Sequence, residues 1–118
     1  MTTLYTAQFR YRYCPERIDI TVKSKDPLWG VFAPSWEMVM GYKNGTMSAD
    51  EYTQRYIEIV ERIIQTNPNG VLDKLSKMQE AIFVCFCRSG DFCHRLILAR
   101  HLSQRFPAYF QYGGEIPA

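Results

Sequence analysis

Residues 85 to 95 hold the groups of this chain best suited to chemistry: Cys85, Cys87 and, after five residues, Cys93 followed directly by His94 and Arg95. A thiolate is a strong nucleophile, and an adjacent imidazole can take its proton and return it later. Arg95 adds a planar fork of donors that matches phosphate or carboxylate. Cys93 and His94 are therefore the catalytic candidates, with Arg95, Cys85 and Cys87 as candidate contacts to an anionic small molecule. Zinc is the competing chemistry, since Cys85, Cys87, Cys93 and His94 are four atoms of the right type. Paired zinc ligands usually stand two to four residues apart, and Cys-x-Cys with an adjacent Cys-His departs from that pattern. No metal and no other cofactor is expected.

Each of these residues also has a structural reading. Cysteine is among the most buried residue types, so Cys85 and Cys87 suit core packing as well as ligand contact. His94 could bond a backbone carbonyl, and Arg95 could pair with Glu115 or Asp91, because a buried arginine is nearly always paired. Cys14, following a strand, reads as incidental. Tyr52 and Tyr56 fit a core stripe, and Lys43 in Tyr42-Lys43-Asn44-Gly45 is by default a solvated charge. The Asn44-Gly45-Thr46 sequon carries no weight without a secretory route.

The elements that must position this cluster follow from the hydrophobic periods. Ala81 to Cys87 is apolar at every position, as expected of a central strand covered on both faces. After the turn Arg88 to Phe92 a helix runs from Cys93 to Phe106, with Arg95, Leu98, Ala99, Leu102 and Phe106 on one side. The cluster thus sits at a strand's carboxyl end and a helix start, where free amides and the dipole favour anions and a thiolate. Arg95 at the head of a buried stripe needs an anionic partner.

Upstream, Tyr5 to Tyr13 alternates apolar and polar residues and predicts a strand. Ile18 to Val22 repeats the pattern and is expected to pair with it. Pro27 to Pro34, with Trp29 and Phe32 but no period, is a loop and a candidate pocket border. Pro34-Ser35 predicts a helix entry, with Trp36, Val39 and Met40 as its apolar face. Ser48 to Glu51 is a capping box, opening a helix whose stripe is Tyr52, Tyr56, Ile59, Val60, Ile63 and Ile64. Asn67-Pro68-Asn69-Gly70 ends it, a short helix over Val71 to Met78 follows, and Tyr109 to Tyr112 is a last short strand.

With 118 residues the chain has room for one core. Fourteen Lys and Arg against 12 Asp and Glu leave 14 − 12 = +2, too little to hold long nucleic acid or an anionic membrane by charge. No apolar run reaches the length of a membrane span, and Met1-Thr2-Thr3-Leu4-Tyr5 lacks the regions of a signal peptide. A cytoplasmic location with free thiols is expected. Composition is silent on oligomeric state.

Val84-Cys85-Phe86-Cys87, five residues, then Cys93-His94-Arg95 and a helix resembles the signature of the domain of unknown function 488 family. Phe32-Ala33-Pro34-Ser35-Trp36, Gly41 to Gly45, Ser48 to Tyr56 and Tyr112-Gly113-Gly114-Glu115 extend the resemblance over nearly the whole chain. The resemblance implies a bacterial or phage member with a Rossmann-like fold, and points to Cys85, Cys93, His94 and Arg95 and further to Lys43, Tyr56 and Glu115 as site residues. Many members carry a glutamate where this chain has Cys87. Periods and resemblance together predict one domain over residues 1–118, a small Rossmann-like α/β fold of three layers around a central, partly parallel sheet. Its expected role is to bind a nucleotide-like or other anionic small molecule over the strand end, as a small enzyme or the descendant of one. A non-catalytic module that sequesters a ligand or binds a protein, and a zinc-stabilised Cys/His domain, are the alternatives.

Overall fold

A computed structural model of the chain describes residues 1–11, 16–86 and 92–116. Glu80–Cys85 (β3), buried at every position after the first, lies inside a four-stranded sheet as its unbroken apolar run predicts. Its partner in the interior is Thr2–Gln8 (β1), and the edges are Arg17–Asp19 (β2) and Phe110–Ile116 (β4), in the order β2-β3-β1-β4. Every neighbouring pair is parallel, so the expected partly parallel sheet is parallel throughout. The helices are Trp36–Lys43 (α1), Ala49–Thr66 (α2), Val71–Ser76 (α3) and His94–Arg105 (α4). The fold is α/β.

Local chemistry sets the helix boundaries. Ser35 caps α1 by accepting from the Met38 amide at 3.1 Å, and Ser48 caps α2 by accepting from the Glu51 amide at 3.1 Å. Asn67, left-handed at φ 42°, closes α2. The stripe Tyr52, Tyr56, Val60 and Ile63 is buried as its spacing predicts, and so are Arg95, Leu98, Ala99 and Leu102 on α4.

Four expectations need correction. The first strand ends at Gln8, not Tyr13, because the chain turns there, with the Tyr11 amide bonding the Gln8 carbonyl at 2.9 Å. β2 does not pair with β1, whose two sides are taken by β3 and β4; it lies along β3, matching Arg17 to Ile82 and Asp19 to Val84. On α1 the buried residue is Met38, while Trp36 is 56% exposed and turns away from the core. The last strand is also longer than Tyr109 to Tyr112 and continues through both glycines to Ile116.

The two faces of the sheet are covered differently. Leu4, Ala81 and Phe83 pack with Tyr56 and Val60 of α2, Val71 and Leu75 of α3, and Leu98 and Leu102 of α4 in the main core. Ala7, Ile82 and Val84 point to the other face and are covered by the half-buried Tyr5, Phe9, Tyr11 and Ile116. Phe9 and Tyr11 belong to the stretch after β1 and are held down by Arg17. Its guanidinium donates to the Phe9 and Tyr11 carbonyls at 2.6 and 2.8 Å and lies 4.3 Å from the Phe9 ring centre.

A bulge in β4 matters for the site. Tyr112 pairs with Leu4 and Gly114 with Tyr5, which leaves Gly113 without a partner on β1. One extra residue reverses which face later side chains take, so Glu115, opposite Thr6, points to the helical side together with Tyr112. Both glycines are required. A β-carbon on Gly113 would meet Tyr5 Cε1 at 2.6 Å and Thr3 Cγ2 at 2.7 Å, and Gly114 has φ +113°. Gly113→Ala and Gly114→Ala should each cost about 1–3 kcal/mol in urea unfolding. Wild-type stability in both variants would show that the bulge is not what fixes the register.

Candidate functional site

β3 and β1 end side by side, and α4 begins beside them, so their chain ends converge on one edge of the parallel sheet. Ligands of open α/β sheets bind at this carboxyl edge. Cys85 closes β3, Cys93 is the extended N-cap of α4 at φ −157° and ψ 150°, and His94 and Arg95 form the first helical turn. All four are buried.

Arg95 is fully buried and its fork is engaged on two sides. Nε and Nη2 donate to the Glu115 carboxylate at 3.1 and 2.7 Å, and Nη1 donates to Cys85 Sγ at 2.8 Å. Pairing with Glu115 is thus the arrangement present, and the guanidinium faces the carboxylate and a sulfur rather than open space.

His94 is held from both sides. A carbonyl can only accept, so the 2.6 Å contact between Nε2 and the Ile20 carbonyl places the proton on Nε2 and leaves the Nδ1 lone pair facing Cys93 Sγ, 3.5 Å away. The Tyr56 ring meets the imidazole edge to face at 5.3 Å, and the Tyr56 hydroxyl donates to the Phe32 carbonyl at 2.6 Å. Burial pushes the imidazole pKa down to about 4, with the Arg95 charge adding to the shift and the Ile20 bond opposing it. His94 is therefore neutral near pH 7. Burial likewise raises the Tyr56 phenol well above its ordinary range, which keeps it a donor. The sulfurs of Cys85 and Cys93 are in contact, and the three ligand-type atoms Cys85 Sγ, Cys93 Sγ and His94 Nδ1 lie within 4.8 Å of one another.

Cys85, Cys93 and His94 form the floor of a cavity of about 290 Å³. Its walls come from the segment after β2 (Thr21 to Lys23), from α1 and from Tyr52 and Phe92. Tyr42, Tyr52 and Phe92 make a cluster of rings with centres 5.0–5.8 Å apart. Trp36, Tyr42 and Phe86 line the same cavity and are 56, 38 and 58% exposed, an unusual exposure for large aromatics gathered in one place. Lys23 and Lys43 supply positive charge to the lining.

The structure brings Cys85, Cys93, His94 and Lys43 to the cavity. Tyr56 stands behind His94 and Glu115 behind Arg95, each one step removed from it. Cys87, with Cys14 and Asp91, lies outside the described residues. Sequence reasoning missed Trp36, Tyr42, Phe92 and the Ile20 carbonyl. A signal existed for Trp36. Trp36, Val39 and Lys43 recur at helical spacing and all line the cavity, so the face read as a core face is the cavity's wall. Nothing in a sequence marks a backbone carbonyl.

A parallel α/β sheet with a Cys-His-Arg helix start at its carboxyl edge defines the class of this protein. A family model described as the active DUF488-N3 subclade matches residues 5–106. The chain belongs to the DUF488 family. No curated protein and no solved structure matches it. Among the described residues, no helix is long and apolar enough to cross a membrane.

His94 gives the site a pH signature. Its folded pKa of about 4 lies below the ordinary 6.5, so the unfolded chain takes up the proton first as the pH falls. The stability it contributes is complete above pH 6.5 and is lost toward pH 4, on the order of 3 kcal/mol over that window. The stability-against-pH curve of reduced, chelator-treated His94→Gln should lack this component. Parallel curves for variant and wild type would mean that His94 is not buried in its neutral form.

Proposed function

We propose that this protein binds a nucleotide-like anionic small molecule in the cavity at the carboxyl edge of its sheet, and that it is a small enzyme acting where the bound molecule meets Cys93 and His94. The observation that carries the reading is the combination of exposed Trp36, Tyr42 and Phe86 with Lys23 and Lys43 around one opening above the Cys-His pair. Exposed rings offer stacking to a base, and lysines offer a charge to a phosphate. The volume of about 290 Å³ is at the low end for small-molecule sites and suits a base with its sugar, leaving the phosphate at the rim. Arg95, engaged by Glu115, orders the floor in this reading and leaves the anion to the lysines.

The description of the matched subclade as active agrees with an enzyme. His94 Nδ1, unprotonated beside Cys93 Sγ, is a proton acceptor in contact with the thiol. A reducing, cytoplasmic setting belongs to the proposal because the site needs its thiols free.

Calorimetry with matched nucleosides and nucleoside monophosphates tests the reading. Lys43→Ala should weaken the monophosphate about tenfold and leave the nucleoside unchanged, while Trp36→Ala should weaken both about tenfold. A panel in which no member binds the wild type removes the proposal. Consumption of the bound nucleotide, abolished in Cys93→Ser, would separate the enzyme from a module that only sequesters its ligand.

A further inference from the structure

We infer that Cys85, Cys93 and His94 form a binding site for one divalent cation of the zinc class. Two thiol sulfurs and an imidazole nitrogen, all within 4.8 Å of one another and on residues no more than 5% exposed, converge at the cavity floor. Sulfur with imidazole is the donor set that zinc and its softer neighbours take in preference to magnesium or calcium.

The surroundings of the donors fit the same use. The Ile20 carbonyl fixes the His94 proton on Nε2, so Nδ1 faces the sulfurs with its lone pair, the orientation that metal-ligating histidines obtain from a carbonyl or carboxylate on the far nitrogen. Arg95 Nη1 donates to Cys85 Sγ at 2.8 Å and supports the thiolate that a metal requires. Glu115 balances the guanidinium, so two thiolates and a divalent ion add no net charge to the floor.

The structure brings the Cys85 and Cys93 sulfurs together at cross-linking distance, so ion binding belongs to the reduced chain, in which both are thiols. The adjacency of Cys93 and His94, which weighs against zinc in the sequence, loses its force at a helix start. Cys93 is extended and His94 is helical, and this change of backbone directs neighbouring side chains to one point, with Sγ and Nδ1 3.5 Å apart.

On binding, the two thiols give up their protons to solvent and both sulfurs bond the ion, with no change in oxidation state. Among the described residues the three ligands all line the cavity. An ion held there takes up the Cys93 sulfur and the His94 Nδ1 lone pair that the proposed enzyme uses, so the metal-bound floor and the free Cys-His pair are alternative states of one site, and the cobalt titration reads the first without reference to nucleotide binding.

Cobalt(II) titration of the full chain, stripped with a chelator and kept reduced with a phosphine, is the test. The expected result is one cobalt per chain, a thiolate-to-cobalt charge-transfer band, release of about two protons per ion and displacement by zinc. Cys85→Ser and Cys93→Ser should each remove about half of the band, Cys14→Ser should leave it unchanged, and His94→Gln should keep it while weakening affinity about tenfold or more. Reduced, folded wild type that shows no charge-transfer band overturns the site, as does a band that persists when Cys85 and Cys93 are both replaced by serine. The wild-type titration with its proton count decides the matter even if a cysteine variant fails to fold.

Discussion

A fully buried guanidinium organises this molecule. Arg95 cannot leave water unless its charge is met, and Glu115 meets it with two bonds while Cys85 receives a third. Arg95, Glu115 and Cys85 come from three separate elements: the start of α4, the far end of β4 and the end of β3. Losing one member of such a pair typically costs about 3–5 kcal/mol, because the remaining charge stays buried alone. The junction therefore fixes where α4 begins relative to the sheet, and with it the positions of Cys93 and His94.

That constraint reaches back to two glycines. Glu115 lies on the helical face only because the bulge at Gly113 reverses the alternation of β4, and the bulge exists only because no side chain fits at Gly113 and Gly114 takes a positive φ. The main sheet hydrogen-bond pattern continues on both sides of it. A change of one residue in register is enough to carry a carboxylate from the outer face to the core and into contact with a charge that needs it.

Period and composition made part of this legible. The apolar run ending at Cys85, the stripe of α2 and the stripe of α4 headed by Arg95 were each readable because burial leaves a repeating mark. The need of Arg95 for an anion was equally readable, and Glu115 was one of two named partners. A period of two says that a strand exists and not which neighbour it takes, so the expected pairing with β1 gives way to β2 beside β3. The alternation runs past the end of β1 because Phe9 and Tyr11 keep it while covering the sheet's outer face from beyond the strand. The cavity wall was hidden by the same ambiguity, since Trp36 on an amphipathic helix reads alike whether it faces a core or an opening.

The site divides its polar groups by depth. Groups that ordinary chemistry would keep in water, the Arg95 guanidinium and the His94 imidazole, are buried and each is held by named partners, so their roles are to order the floor and fix its protons. Lys23 and Lys43, which stay exposed, carry charge at the lining, where salt screens it. A fixed floor with an adaptable rim separates two demands that conflict in one group. Orientation of a thiol or an ion requires rigidity and low dielectric, whereas capture of an anion from solution requires charge that has not been neutralised. Arg95 meets the first demand through its bonds to Glu115 and Cys85.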